Sequence, residues 1–266
     1  MSGKTISLAD VRHSFAPHRP GAAPVEVLRP TTTEVRSEQF VALLGPSGCG
    51  KTTVLNMVAG LIRPSGGVVR LDGHEPRLGD NDVGYLLARD ALLPWRTALH
   101  NVALPLQVRG VGRRERERLA RKVLEEVGLG NFVDAYPAQL SHGMRQRVAV
   151  ARTLVVEPST LLMDEPFSAL DAQTRLGLQQ QFLQLWERVR CTVMFVTHDL
   201  TEAILMADRV VVFSARPGRI RADFEVGLER PRSLIDLQGT DQFHRLFRQI
   251  WDVFREEVKV YEAASG

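Results

Sequence analysis

The nine residues Gly45–Thr53, GPSGCGKTT, constrain this chain more than any other stretch. They read G-x-x-x-x-G-K-T, preceded by the apolar run Phe40-Val41-Ala42-Leu43-Leu44 and followed by Val54-Leu55-Asn56-Met57-Val58-Ala59. A strand, a glycine-rich loop and a helix opening near Lys51 form the context in which this pattern cradles phosphate. The glycines let the backbone curl so that successive N–H groups converge on one concavity, and the helix adds its positive dipole end. Gly45, Pro46, Ser47, Gly48, Cys49, Gly50, Lys51, Thr52 and Thr53 are therefore the candidate nucleotide cradle. Lys51 is expected to reach the β- and γ-phosphates, and the Thr52 hydroxyl to bind Mg²⁺. The plain alternative is a Gly/Ser loop with an incidental lysine; the flanking patterns and the acids further along argue against it.

The rest of the composition sets bounds. At 266 residues, 44% hydrophobic and 24% charged, the chain can bury a sizeable core as one large α/β domain or two small ones. A formal charge of +3 argues weakly for an anionic partner, and a nucleotide or a membrane-bound complex satisfies it as well as DNA. Two cysteines, one inside the phosphate loop, make no disulfide framework, so a reducing, cytoplasmic compartment is expected. No signal peptide or 18-residue apolar run is seen, so any membrane role is expected to come through a partner.

In chain order, residues 5–15 alternate as an edge strand, and the proline- and glycine-bearing stretch 16–24 is loose. Val25–Leu28 and Thr33–Val35 read as two short strands leading to Phe40–Leu44. Pro64-Ser65-Gly66-Gly67 reads as a hairpin turn into Val68–Leu71, and Asp72-Gly73 as another turn. From Arg89 to about Val156 the patterns are helical; Arg113–Val127 carries Leu119, Val123, Leu124 and Val127 at helical spacing, and its charge run reads as a solvated face rather than a nucleic-acid patch. Then βα alternation returns: strands at Leu161–Met163, Val193–Val196 and Val210–Phe213, helices at Ala172–Val189 and Leu200–Ala207. This alternation implies a mostly parallel sheet with helices on both faces. In the tail, Phe243, Leu246, Phe247, Ile250, Trp251 and Phe254 share one helical side, to be buried against the body or used for docking.

Further candidates sit at the ends of apolar strands. Asp164 closes the run Thr160–Met163, where a carboxylate emerging beside the phosphate loop can hold Mg²⁺ through its water shell. Glu165 follows, placed to orient and deprotonate a water in line with the γ-phosphate. His198, after Val193–Thr197, can hydrogen-bond the γ-phosphate and the attacking water. Leu140-Ser141-His142-Gly143-Met144-Arg145-Gln146-Arg147 opens a helix with a serine and a glycine, an anion site without a lysine.

Taken together, GPSGCGKT, LSHGMRQR, LLMDEPFSALD and VTHD resemble the ATP-binding-cassette (ABC) ATPases in order and spacing, over essentially the whole chain. The resemblance implies an α/β fold: a P-loop NTPase core with a mostly parallel sheet, an N-terminal antiparallel β subdomain and an inserted α-helical subdomain. It implies a nucleotide-binding domain over 1–230, with the helical subdomain at about 89–156, and a C-terminal helical extension over 231–266. ATP with Mg²⁺ would lie between two head-to-tail subunits, Ser141 and Gly143 meeting the γ-phosphate bound by the partner and Asp171 lying in the loop that crosses the dimer. Phe15 matches the aromatic that stacks on adenine, its alternative being an edge-strand core residue.

Leu92-Leu93-Pro94-Trp95-Arg96, Pro217-Gly218-Arg219-Ile220 and Arg230-Pro231-Arg232 look like the nitrate/sulfonate/taurine import ATPases. By that likeness Leu92, Leu93 and Trp95 receive a short helix of the transmembrane permease at the cytoplasmic face of the inner membrane, with a solute-binding protein acting indirectly; plain core packing is the alternative. Two residues depart from the family: Ala88 where a glutamine touching Mg²⁺ and the attacking water is expected, and His142 where a glycine is expected. They keep open a regulatory subunit that binds ATP with little turnover. A soluble cassette ATPase acting on nucleic acid is disfavoured, because the chain has one cassette and no sustained heptads.

Overall fold

The computed structural model describes residues 3–17, 19 and 23–265. In chain order its elements are β1 (Ile6–Phe15), β2 (Val25–Val35), β3 (Phe40–Leu44), α1 (Lys51–Val58), β4 (Gly66–Leu71), β5 (Val83–Leu86), α2 (Ala98–Val102), α3 (Leu104–Val108) and α4 (Arg113–Glu126). There follow α5 (His142–Leu154), β6 (Thr160–Asp164), α6 (Ala172–Val189), β7 (Thr192–Thr197), α7 (Leu200–Met206), β8 (Arg209–Phe213), β9 (Ile220–Glu225), α8 (Leu234–Gln238) and α9 (Asp241–Ser265). They form two compact units, one made of the chain through Asp80 and from Cys191 onward, the other of Asn81–Arg190.

In the first unit, β2, β1 and β4 make an antiparallel sheet in that order. The expected edge strand at 5–15 is thus the central one, with Ile6, Leu8 and Val11 buried. The two short strands expected at 25–28 and 33–35 are one continuous β2; it is an edge strand, where Pro30 removes no ladder hydrogen bond that the sheet needs. The expected hairpin at 64–67 is also absent: Gly66 and Gly67 already belong to β4, which crosses back to pair with β1. The reason is a bulge in β1 around Asp10, itself at φ 52°. Gly67 has φ +77°, and a Cβ on it would lie 2.1 Å from the Asp10 carbonyl oxygen. Asp72-Gly73 is a tight turn as expected, both residues at positive φ, with Leu71 and His74 exchanging backbone hydrogen bonds. Of the loose stretch expected at 16–24, residues 18 and 20–22 lie outside the described residues.

The same unit holds β7, β3 and β8 side by side and parallel, with β9 antiparallel beyond β8. FVALL and TVMFVT are buried throughout, as strands covered on both faces must be. The half-buried β9, alternating and polar, was not expected from the sequence. Arg230 and Arg232 prove to be interior caps: Arg232 donates to the carbonyls of Leu205, Ala207 and Leu228, and Arg230 to Met206, closing the C-terminal end of α7. Both also engage Asp208, whose other oxygen accepts the N–H of Phe40. The tail helix α9 packs on α7, β8 and β9 through Phe243, Ile250 and Phe254, but Trp251, expected on that side, is 41% exposed and stacks on Phe247.

In the second unit, β5 and β6 pair in parallel, Val83 with Thr160 through Leu86 with Met163. β5 was not expected: VGYL is short and carries a glycine, needed because a Cβ on Gly84 would lie 2.9 Å from Thr153 Cγ2. α4 buries Ala120 and Leu124, while Arg113 pairs with Glu117 and Arg118 with Glu115 on its exposed side, the solvated face expected.

Candidate functional site

The loop Gly45–Gly50 leaves β3 and enters α1 through Gly50, at φ +100°. That left-handed residue leaves the first turn of α1 with no side-chain cap. Ser141, Asp171 and Asp199 by contrast accept from backbone N–H groups at the starts of α5, α6 and α7. α3, α4 and α8 also lack a side-chain cap, but α1 alone among these follows a glycine-rich loop from a buried strand. An open N-terminus on a glycine loop offers its N–H groups to an anion. Lys51 is 4% exposed, and its ammonium donates to the carbonyls of Gly45 and Pro46, both at 2.7 Å, with Cys49 Sγ at 3.6 Å. Ser47, Gly48 and Thr52 are exposed at the rim, whereas Thr53 turns inward. The parallel register sets Leu44 opposite Thr197, so the phosphate loop and His198 leave the same sheet edge. His198 is exposed there, just before the α7 cap; Asp199 takes the N–H groups of Thr201 and Glu202, and Thr197 donates to buried Glu202. Phe15 is 44% exposed and edge-on to His13 at 4.6 Å, so it is not a core residue.

Both thiols are buried. Burial pushes the Cys49 thiol up against the opposing pull of Lys51, and pushes Cys191 to about 12. The reactive species is the thiolate, which a raised pKa depletes near neutrality. Native protein at pH 8 is therefore expected to leave both cysteines unreacted with an aromatic disulfide reagent, and unfolded protein to release the full two equivalents; rapid native reaction would contradict this burial.

The remaining candidates lie in the Asn81–Arg190 unit. Asp164 ends β6, half-buried; burial, helped by the Asp164 charge, raises the Tyr85 phenol. Glu165 follows at φ 47°, a left-handed backbone that a non-glycine residue holds only under strain. Its carbonyl accepts from the N–H and hydroxyl of Ser168, closing a turn. Ser141 caps α5, accepting the Met144 N–H at 3.2 Å, and a hydroxyl that accepts there still carries a proton to donate. Gly143 packs against the first turn of α6: a Cβ would lie 2.7 Å from Thr174 Cγ2. Thr174 in turn donates its N–H to Asp171, which holds that exposed carboxyl below its usual range. The Ser141 loop and Asp171 are thereby brought together.

Four positioning side chains escaped the sequence reading. Gln146, 1% exposed on α5, donates to the Pro166 carbonyl at 2.7 Å, binding the helix that Ser141 opens to the turn that Glu165 opens. Arg145 pairs with Asp90 at 3.0 Å, and Arg152 donates to the Asp90 and Ala91 carbonyls, fastening the stretch after Ala88 to α5. Buried Asn101 donates to the carbonyls of Leu93, Arg96 and Thr97 and accepts the Leu93 N–H, building the turn that carries Trp95. Trp95 is 72% exposed, which removes the core-packing alternative for it, while Leu92 and Leu93 are half-buried.

Mg²⁺ takes oxygen ligands, one or two carboxylates being completed by substrate phosphates and water. Thr52, the exposed residue in the first turn of α1, and, in the other unit, the half-buried Asp164 carry oxygen donors of that kind. Among the described residues no group of three or more His, Cys, Asp or Glu is placed to hold an ion. Each donor, taken by itself, is of the oxygen type that an ion carried in with a nucleotide takes.

A glycine loop from a parallel strand to an uncapped helix, with a buried lysine behind it, defines a phosphate-loop nucleotide-binding protein. The chain belongs to the ABC transporter family, whose sequence model matches residues 28–168, and is an ATPase of its ATP-binding type. It is 46% identical to an uncharacterized ABC transporter ATP-binding protein of Methanocaldococcus jannaschii, over 88% of this chain and 86% of that one. A taurine import ATP-binding protein of Rhizobium johnstonii is 43% identical over 77% of this chain and 79% of its own. A nitrate import ATP-binding protein of Synechocystis is 38% identical, over 84% and 83% respectively. Among solved structures, a dimeric bacterial ABC transporter cassette superposes with TM-score 0.74 at 31% identity, covering 84% of this chain and all of that one. A dimeric post-hydrolysis cassette bound to ADP and phosphate gives TM-score 0.72 at 30% identity, covering 84% of this chain and all of that one. Among the described residues no helix is long and apolar enough to cross a membrane.

Proposed function

We propose that this chain is the ATP-hydrolysing subunit of an importer for a small anionic solute of the nitrate, sulfonate or taurine type. The observation that carries the reading is the uncapped start of α1 above the buried Lys51 ammonium, a cationic cradle built for phosphate. Gly45–Thr53 would hold the triphosphate, Phe15 the adenine, and Thr52 and Asp164 the Mg²⁺ that neutralises charge on the phosphates. Glu165 would take a proton from water as its oxygen attacks the γ-phosphorus and the bond to the β-phosphate oxygen breaks, releasing ADP and phosphate. His198 would hold the attacking water and the γ-phosphate. Ser141 and Gly143 would complete the site of a second subunit, and Asp171 the crossing between them. The supports are local: Ser141 retains a donor proton, and the names and dimeric forms of the relatives agree with the arrangement.

Closure on ATP and reopening after hydrolysis would pass motion to a permease at Leu92, Leu93 and Trp95, on the cytoplasmic face of the membrane, with a solute-binding protein beyond it. The 72% exposed Trp95 on a turn locked by Asn101 supports that surface. In this reading residues 1–230 are the nucleotide-binding domain, about 89–156 its helical insertion and 231–266 an extension. Nucleic acid is not a partner in this reading, Arg113 and Arg118 of α4 being paired with Glu117 and Glu115 on its solvated face. Mg²⁺-dependent ATPase measured against protein concentration tests the head-to-tail pair: a rate rising with the square of concentration below the dimer dissociation constant supports it, and strict proportionality throughout overturns it.

Ala88 favours a second reading, a regulatory subunit of low turnover beside an intact ATPase. It is half-buried and has no polar atom for Mg²⁺ or water. Supplying the missing contact, about 1–3 kcal/mol, predicts that Ala88→Gln raises turnover about ten- to a hundredfold in the assembled complex. No gain in rate would show that this position does not limit hydrolysis. His142 stands in the first turn of α5 beside Gly143, where a glycine would allow closer approach.

A further inference from the structure

The tail helix reaches the phosphate loop through one carboxylate. Glu257 lies on the seam of α9 otherwise formed by Phe243, Ile250 and Phe254, and it is 8% exposed. Its Oε2 accepts the Ala215 N–H at 3.0 Å, and its Oε1 accepts from Arg221 Nε at 2.9 Å. These partners flank the turn from β8 to β9. Ser214 ties that turn across its base: its N–H donates to the Arg219 carbonyl at 2.9 Å and its hydroxyl oxygen accepts the Arg219 N–H at 3.1 Å. At the tip, Gly218 donates to the Val27 carbonyl at 2.9 Å and accepts the Arg29 N–H at 2.8 Å. Gly218 also rests on the phosphate loop itself, since a Cβ on it would lie 1.8 Å from the Cys49 carbonyl oxygen. The loop is confined at two more points: a Cβ on Gly45 would lie 3.0 Å from Phe213 Cβ, and one on Gly50 3.1 Å from the Val27 carbonyl oxygen.

A helix that merely docks fills its seam with apolar residues, because a buried carboxylate costs free energy unless partners match it. Here the two partners, Ala215 and Arg221, flank the turn that touches the cradle. We propose that Glu257 is a positioning residue for nucleotide binding: by fixing residues 214–219 it seats Gly218 against the Cys49 carbonyl and so sets the curl of the phosphate loop. The proposal rests on Gly45–Thr53 being the nucleotide cradle, and the control below separates the two.

The test is the affinity of the full-length chain for a fluorescent ATP analogue, well below the melting temperature, with hydrogen exchange of the 45–53 amides as a second readout. Glu257→Ala is expected to weaken binding about tenfold and to raise exchange in the loop. Glu257→Gln keeps an acceptor for the Ala215 N–H and is expected to stay within about threefold of wild type. Gly218→Ala, which must displace the Cys49 carbonyl, is expected to lose more than about tenfold. A role confined to stability would lower the melting temperature of Glu257→Ala while leaving the affinity of the folded protein unchanged; that result overturns the proposal, as does a glutamine variant as weak as alanine. Should Glu257→Ala fail to fold, Arg221→Ala, which removes the more exposed partner of the same carboxylate, carries the test: about threefold weakening supports the proposal and unchanged affinity overturns it. Lys51→Ala is the control, since wild-type affinity there would overturn the cradle itself rather than the role of Glu257.

Discussion

Glu165→Gln is expected to lower Mg²⁺-dependent ATP turnover in the assembled complex by about a hundredfold or more, the usual worth of a positioned general base. Glutamine has nearly the shape of glutamate but cannot take a proton from water, so nucleotide affinity should stay within about threefold of wild type. The backbone supports this separation of effects. Glu165 sits at φ 47° in a turn closed by Ser168, and the Pro166 carbonyl is held by Gln146. These hydrogen bonds run through the backbone carbonyls of Glu165 and Pro166, which glutamine leaves in place, so the substitution should keep the turn. Single-turnover hydrolysis by wild type and variant is the deciding measurement. Equal rates would remove Glu165 from the chemistry and favour the regulatory reading that Ala88 keeps open.

Lys51→Ala is expected to act on binding instead. The ammonium gives charge-assisted hydrogen bonds, and losing its contacts to the phosphates should cost about 3 kcal/mol, a little over a hundredfold in the dissociation constant for ATP. The same change removes the donor to the Gly45 and Pro46 carbonyls, so the loop should also exchange its amides faster without nucleotide. Calorimetric titration of ATP checks the first effect, and affinity within threefold of wild type would exclude Lys51 as a phosphate ligand. Because Glu165→Gln should spare affinity and Lys51→Ala should destroy it, the pair separates chemistry from binding.

Much of this is legible in the sequence. The run FVALL before GPSGCGKTT is β3, and α1 starts at Lys51. Ala172–Val189 is α6 to the residue, because Asp171 caps its first turn and Arg190 ends it in a left-handed conformation. The errors fell where a pattern has two solutions. Residues 5–15 alternate whether the strand is central or at an edge, and only pairing on both sides with β2 and β4 separates these. Pro64-Ser65-Gly66-Gly67 has turn composition, yet its last two glycines serve a bulge in another strand, and no local signal marks that. Trp251 shares a helical side with Phe247 and Phe254, but the groove under α9 does not extend to it. Gln146 lies within LSHGMRQR and Asn101 and Arg152 within no motif, yet all three became visible as positioning groups only through the carbonyls they reach.

What the sequence by itself determined is the chemistry that acts over one turn of chain: a glycine loop opening a helix, acids following an apolar strand, and a serine and a glycine at the start of another helix. Such interactions join residues a few positions apart, so their geometry follows from residue type and spacing. What only the tertiary structure decided is which distant groups hold these pieces still. Gly218 lies under the Cys49 carbonyl, Glu257 reaches Ala215, and Arg232 fills the open end of α7. Those contacts exist because the fold closes long loops of chain, and the satisfaction of a buried polar group can be judged only once its partners are in place.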